Sequence, residues 1–250
     1  METSRPVLFV AGGSRGIGAA VCRLAAVRGF DVVVHYQSRS DRAEAVAREV
    51  RAAGGRASTV SGDVRNAGAV AAAFEHAQRN LGPIHALVYS AGITGAASTL
   101  AHATPDVMQD TLDTNVMGAL LCCQAAVRTM ANTSGNRSIV LVSSGAATLG
   151  SAGEFVWYAA SKGAVDSLTL GLSREVAPLG IRVNAVSPGL TETELHAQST
   201  GEPGRAARLA PSIPLGRAAA PEEIAEPILW LLSEAASYVT GAILRAAGGR

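Results

Sequence analysis

Charge of either sign is scarce in this chain. Only 16% of its 250 residues are charged, and the formal net charge is +1. So even a balance offers no general field for nucleic acid or an anionic membrane surface. Aromatic residues are scarcer still, at four Phe, four Tyr and two Trp, which excludes stacking platforms for bases. Three cysteines, Cys22, Cys122 and Cys123, lie in apolar helical contexts and read as buried thiols, too few for a disulfide framework. The five histidines share no zinc-ligand spacing with them. No apolar run reaches the length of a membrane span, and the one in METSRPVLFVAGG is too short for a signal peptide. The expectation is a cytoplasmic protein without nucleic-acid or membrane partners.

What the chain does have is apolar residues, 48% of the total, enough for a large core. Short β-branched runs recur at 6–11, 31–36, 57–62, 85–90, 138–144, 181–187 and 241–247. Several are apolar on both faces, as strands of a buried parallel sheet are. Between them lie Ala-rich segments with helical spacing. The first sets Ile17, Val21, Leu24 and Ala25 on one face and closes at Gly29. Others run over 40–53, 66–80, 105–131, 155–177 and 221–233. Strand and helix alternate from end to end, which predicts an α/β protein: a three-layer α/β/α, Rossmann-type, doubly wound parallel sheet in a single domain over 1–250. Segment 190–220, rich in Gly, Pro and Ser, is the irregular exception. Ligands of such sheets bind beyond the carboxyl ends of the strands, so it reads as a substrate-side lid.

VLFVAGGSRGIGAAV is a strand, a glycine-rich turn and a helix start. Gly12, Gly16 and Gly18 let a backbone approach a phosphate, and the helix offers free N–H groups to a pyrophosphate. Without a G-K-[ST] ending it is no Mg-nucleotide P-loop. An acid closing the second strand would bind the ribose 2′-hydroxyl of NAD. Here that strand ends VVVHYQSRS, and Arg15 and Arg39 stand nearby; guanidinium groups suit a 2′-phosphate. NADP(H) is therefore preferred and NAD(H) remains possible.

Tyr158 and Lys162, in VWYAASKG, lie one helical turn apart. A phenol is a poor base at neutral pH, and a nearby ammonium would lower its pKa toward the working range. Taken alone, the pair reads more readily as two ordinary helix residues, since a Tyr and a Lys four apart occur often by chance. Asp113 reads as a solvated helix charge, and His35 and His85, at strand ends, as structural.

These pieces, in this order, resemble the short-chain dehydrogenase/reductases, single-domain Rossmann-type oxidoreductases that assemble as homotetramers or homodimers. GGSRGIG matches the family's cofactor turn and implies contacts from Ser14 and Ile17 beside the glycines. GDV resembles the segment whose acid and following amide, here Asp63 and Val64, meet the adenine. YSAG keeps Ala91 and Gly92 for close cofactor approach. NVMGA implies an active-site Asn115 that kinks its helix and holds a water on the proton path. IVLVSSGAA implies a serine that holds the substrate oxygen; Ser144 is the choice and Ser143 the alternative. YAASK gives Tyr158 as acid/base, with Lys162 also binding the nicotinamide ribose. VNAVSPGLTET implies nicotinamide contacts from Pro188, Gly189, Thr191 and Thr193. The chain is similar to 3-oxoacyl-carrier-protein reductases and to glucose-type dehydrogenases. The resemblance implies hydride transfer between the nicotinamide and a small carbonyl or secondary alcohol. The reading is NADPH-dependent 3-oxoacyl-type ketone reduction, with a sugar dehydrogenase or a non-catalytic dinucleotide sensor as alternatives. Three features depart from the pattern: Tyr89 stands where relatives carry a sheet-tying asparagine, Trp157 is expected to line the substrate pocket, and Arg245 sits in the final strand.

Overall fold

The computed structural model describes residues 5–202 and 204–250. Seven parallel strands form one sheet in the order β3-β2-β1-β4-β5-β6-β7. They are β1 Val7–Ala11, β2 Asp31–Tyr36, β3 Ala57–Ser61, β4 Ile84–Tyr89, β5 Arg137–Val142, β6 Ile181–Pro188 and β7 Ile243–Ala246. Among the described residues ten α-helices accompany them. Those before β5 are α1 Gly16–Val27, α2 Ser40–Ala52, α3 Ala67–Leu81, α4 Pro105–Leu112 and α5 Gly118–Met130. After it come α6 Ala146–Leu149, α7 Val156–Val176, α8 Glu194–Thr200, α9 Arg205–Leu209 and α10 Pro221–Leu232. The expected strand and helix alternation holds, with element ends within about two residues of the sequence reading.

Strand pleating explains why the strands read as unbroken apolar runs. Successive side chains point to opposite faces. In β1, Val7, Phe9 and Ala11 join a core with α3, α5 and α7 residues, while Leu8 and Val10 join a second core with α1, α2 and α10. Both faces are covered, so neither can be polar. Cys22, Cys122 and Cys123 are buried free thiols, as expected. Helix α10 covers the sheet through Ile228, Leu229, Leu231 and Leu232 and leaves Trp230 exposed. Of the first helix's predicted face, Val21 and Ala25 are fully buried, with Ile17 and Leu24 packed at its margin. His85 is structural: its Nδ1 accepts from the Val7 backbone N–H at 3.2 Å, tying β4 to β1.

The single helix expected over 105–131 is instead two helices joined by a π-helical turn, Asp113–Met117. Such a turn adds a residue and bends the axis. The Tyr89 phenol, 1% exposed at the end of β4, donates a hydrogen bond to the Thr114 backbone carbonyl in that turn. Burial pushes the phenol's pKa well above its usual value, so it remains a donor. The asparagine position therefore has its own bonding solution, which secures the bend that carries Asn115.

The sheet order reverses between β1 and β4, where the first and second halves of the fold wind away from each other. A crevice opens there at the carboxyl ends of the strands, the ligand position of doubly wound sheets. Removing the Tyr89 hydroxyl would leave the Thr114 carbonyl without a partner in a buried turn. Tyr89→Phe should cost about 1–3 kcal/mol, lowering the melting temperature by about 2–4 °C per kcal/mol for a chain of this size. Unchanged thermal melts would show that the bend does not depend on this bond.

Candidate active site

The nucleotide end of the crevice begins at the glycine turn. Gly12 has φ +76°, and a Cβ there would stand 2.8 Å from the Ala91 amide nitrogen. A Cβ on Gly18 would stand 2.2 Å from the Gly12 carbonyl oxygen. Glycine at both positions is thus what lets β1, the turn and α1 close onto the Ser90–Gly92 segment. Helix α1 has no acidic residue in its first turn and no side-chain cap. Its N-terminal amides and positive dipole end are directed to the crevice without an internal anion, which fits a pyrophosphate.

Most of the residues singled out from the sequence line one continuous cleft. The turn contributes Gly12, Ser14, Arg15, Gly16 and Ile17, and Arg39 stands at the start of α2. Asp63 and Val64 follow β3, and Ala91 and Gly92 follow β4. Ser144, Tyr158 and Lys162 form the inner wall, and Pro188, Gly189, Thr191 and Thr193 close it after β6. Gly18 and Asn115 stand behind this surface. Thr191 is buried, and its hydroxyl donates back to the Gly189 carbonyl at 3.1 Å. Asp63 is paired with Arg65 and accepts from Gln37, and Arg65 holds its carboxyl below the usual range. His35 reaches the cleft wall but is 3% exposed, and burial pushes its imidazole down to about 4, so it is neutral.

The inner wall is built from side chains of β5, its following loop and α7. The Ser144 hydroxyl faces the Tyr158 phenol and favours its ionised form. Lys162, 5% exposed, places its Nζ 5.7 Å from the centre of the Tyr158 ring and donates to the Val142 carbonyl at 2.7 Å. Ser143 turns the other way: its hydroxyl donates to Asp166, one turn beyond Lys162. Asn115 is closed onto Ile93 by two bonds, accepting from its N–H at 2.9 Å and donating to its carbonyl at 2.8 Å. It also donates to Ser161, whose hydroxyl donates to the Tyr158 carbonyl at 2.7 Å. Asn115 thereby fixes the loop after Gly92.

Two expectations need correction. One-turn spacing was to lower the Tyr158 pKa. In the protein alone, burial dominates and raises it, with the Ser144 hydrogen bond opposing. The ammonium lies over the ring and is bonded to a backbone carbonyl, so the phenol stays protonated near neutral pH. Trp157 was expected to line the substrate pocket. It is 4% exposed and donates from Nε1 to the Thr94 carbonyl at 2.8 Å, bracing the loop after β4. One residue earlier on the helix turns it about 100° away from Tyr158.

Several contributors were not anticipated. Arg42 lines the nucleotide end one turn from Arg39 and pairs with Glu194, the first residue of α8, at 2.7 Å. Arg42 holds the Glu194 carboxyl below its usual range, and Arg15 and Arg39 add to the effect. The Arg39–Arg42 spacing was a visible signal; Glu194, far along the chain, was not. Asp166, half-buried, continues the Tyr158–Lys162 face by another turn. The segment 190–220 folds as α8, α9 and short turns, with Pro203 outside the described residues. Arg205 of α9 pairs with Glu154 before the tyrosine and packs over Phe155 at 5.9 Å. Beyond Ser144 and Tyr158 the crevice continues into a second cavity between that segment and the 145–155 loop.

A glycine-rich turn opening a helix at the switch point, leading to a hydroxyl pair and a buried ammonium, defines a dinucleotide-binding oxidoreductase. Comparison with known proteins narrows the class. Residues 11–250 match the family model described as enoyl-(acyl carrier protein) reductase. The uncharacterized oxidoreductase YgfF of Escherichia coli is 47% identical over 98% of this chain and 99% of its own. A 3-oxoacyl-[acyl-carrier-protein] reductase of Synechocystis is 35% identical over 97% of this chain and 96% of its own. A short-chain type dehydrogenase/reductase from Mycobacterium marinum superposes with a TM-score of 0.92 at 34% identity, over 98% of this chain and 94% of its own. The chain belongs to the short-chain dehydrogenase/reductase family.

The buried ammonium makes a pH-dependent prediction. Burial pushes Lys162 down to about 8 from 10.5, with Asp166 opposing. Below pH 8 the folded and unfolded states both hold the proton. Between 8 and 10.5 only the unfolded state does, so this residue's contribution to stability increases with pH across that window. Lys162→Met removes the contribution. Its melting temperature relative to the parent should fall between pH 8 and 10, by up to ~1.4 kcal/mol per pH unit. In Asp166→Asn the window should begin at lower pH. Parallel melting curves from pH 6 to 10 for parent and Lys162→Met would contradict the assignment.

Proposed function

We propose that this protein reduces a ketone to a secondary alcohol with NADPH, a 3-oxoacyl-type carbonyl reduction. The observation carrying the reading is the Ser144–Tyr158 hydroxyl pair, set where the nucleotide cleft meets the second cavity with the Lys162 ammonium behind it. When bound, NADPH supplies the hydride. Ser144 donates a hydrogen bond to the substrate oxygen as that oxygen gains charge. Tyr158 gives its phenolic proton to the same oxygen. A phenol that burial keeps protonated is the form this direction requires. Lys162 stabilises the phenolate left behind, and Asn115 fixes the loop after Gly92 against the cofactor's reacting end.

The arginines support NADP over NAD. Arg15, Arg39 and Arg42 line the nucleotide end, and β2 ends at Tyr36, followed by Gln37-Ser38 with no acid. Arg39 pairs with the exposed Asp41 at 2.8 Å. All three cations lower the Glu194 pKa, so this place already accommodates an anionic group. A 2′-phosphate would compete with Glu194 for it.

Tyr158→Phe should lower kcat by about 10²–10⁴-fold, with NADPH affinity nearly unchanged in equilibrium titration. Full turnover in that variant would exclude the mechanism. Alanine at Arg15, Arg39 and Arg42 together should lower the NADPH/NADH ratio of kcat/KM by at least about tenfold, the loss of one charge-assisted bond. A ratio unmoved by all three changes would exclude the cofactor assignment.

A further inference from the structure

We propose that Ser143 is a positioning residue: it restrains the Asp166 carboxylate one helical turn from Lys162, so that the carboxylate compensates the ammonium without pairing with it and leaves the ammonium's remaining donors to the cofactor. This rests on the dinucleotide-binding part of the reading above and gives the first serine of the Ser143-Ser144 pair a role of its own.

A lysine and an aspartate four apart on a helix are within reach of a direct ion pair. Lys162 and Asp166 have that spacing on α7. Yet among the described residues no carboxylate oxygen lies within 4.0 Å of Nζ. Both side chains are engaged elsewhere. Nζ donates to the Val142 carbonyl at 2.7 Å. The Asp166 carboxylate accepts from the Ser143 hydroxyl, which is buried and also lies 3.4 Å from the Lys162 backbone carbonyl. Ser143 is itself held by the sheet, its backbone N–H donating to the Val186 carbonyl of β6 at 2.8 Å. The carboxylate is thus anchored to the end of β5 through Ser143.

The restraint matters because an ammonium has a fixed number of donors. Nζ carries three N–H groups. One is used on Val142, and two remain on a side chain that lines the nucleotide cleft. A carboxylate in contact would take another and draw the ammonium toward itself. Held at a distance, it still acts through its field, favouring the charged form of Lys162 against the cost of burial. Ser143 supports the carboxylate in turn: burial raises the Asp166 pKa, and the Ser143 hydrogen bond opposes. No other neighbour of α7 supplies such a charge. Tyr158 on the same helix is a buried phenol, and Gly92 and Asn115 border Nζ from the other side. Helix α6 is Ala-Ala-Thr-Leu, and α4 brings Val107 and Met108. Burial keeps the thiols of α5 protonated. Asp113 of the π turn accepts from Gln109, and Arg182 of β6 is turned to the end of α10.

The test exploits a property of the composition: Lys162 is the only lysine in the chain. Full-length protein labelled with ¹³C-lysine therefore gives one side-chain Cε signal, and its titration by NMR reads this ammonium alone. NADPH binding is read separately by fluorescence titration at pH 6.5, where the ammonium holds its proton. Ser143→Ala frees the carboxylate to pair with Nζ. The lysine should then titrate at higher pH than in the parent, and the NADPH Kd should rise at least about threefold, as weakening of one hydrogen bond implies. Asp166→Asn keeps an acceptor for Ser143 but removes the charge, and the lysine should titrate at lower pH. The two changes move one signal in opposite directions, which a loss of packing would not do. In Ser143→Ala/Asp166→Ala no carboxylate remains to divert the ammonium. NADPH binding should recover to within about twofold of the parent, although two side chains are truncated. Where Ser143→Ala does not fold, Ser143→Cys, of similar volume and a weak donor, carries the same expectations. A lysine that titrates at or below the parent's midpoint in Ser143→Ala overturns the proposal. So does a double variant that binds NADPH no better than Ser143→Ala alone. Turnover enters none of these measurements, so the ketone-reduction reading can fail while this proposal holds, and the reverse.

Discussion

One buried positive charge organises this site. Lys162 is the chain's sole lysine, and every other strongly basic side chain is arginine. Removing an ammonium from water is expensive unless the interior gives it partners. The fold supplies three: the Val142 carbonyl at the end of β5, the Asp166 carboxylate one turn along α7, and the face of the Tyr158 ring. Each comes from a different constraint. The carbonyl is available because β5 ends there. The carboxylate and ring lie on either side because a helix repeats every four residues or so. Arginine could not replace this residue. Its planar fork needs several acceptors in one plane, and its proton does not leave near neutral pH. A compact ammonium fits beside one carbonyl and one ring face, and burial brings it down to about 8.

The rest of the site follows from keeping that ammonium in place while leaving one side of the phenol open. Helix α7 must lie against β5 and β6, which brings Ser144 to the phenol oxygen and turns Ser143 inward to Asp166. On the opposite side the chain must approach within contact of the lysine without covering it. Gly92 does this: a Cβ there would stand 3.6 Å from Nζ and 3.3 Å from Asn115 Oδ1. Asn115 then holds the next residue by both backbone groups. It can do so only because the π turn aims its side chain inward, and Tyr89 supports that turn from the sheet. The surroundings of Tyr158 and Lys162 thus depend on a bond between a β-strand and a turn in a distant helix.

What could be read in the sequence was whatever is written within one or two turns of chain. The glycine turn, the Tyr158–Lys162 spacing and the apolar periodicity are local, and they led to the fold and to the cleft's glycine and tyrosine walls. Resemblance carried the rest of the lining named, from Asp63 and Val64 to the 188–193 stretch, and brought Asn115 and Ser144 to the right neighbourhood. The sequence did not reveal interactions that pair distant residues. Arg42 meets Glu194, Arg205 meets Glu154, and Tyr89 meets Thr114 across the fold. Nor did it reveal the sign of the Tyr158 shift. Spacing announces a nearby ammonium, but burial, a property of the whole packed helix, outweighs it. Trp157 was misplaced for a related reason. Neighbouring helix residues share a sequence motif but face different directions, and its indole found the Thr94 carbonyl instead of the pocket.

The near-neutral net charge shows how a global count can mislead about a site. At +1 the chain has no long-range field. Charges interact across about 8–10 Å at physiological ionic strength, so recognition depends on local inventory. Both ends of the crevice are rich in arginine. At the nucleotide end, Arg39 and Arg42 are matched to Asp41 and Glu194. At the other end, Arg205 is matched to Glu154, and Arg245 bonds a main-chain oxygen of Arg250 and the Thr148 hydroxyl. At both ends of the crevice arginine therefore joins elements far apart in the sequence: Arg42 ties α2 to α8, and Arg205 ties α9 to the loop before Tyr158.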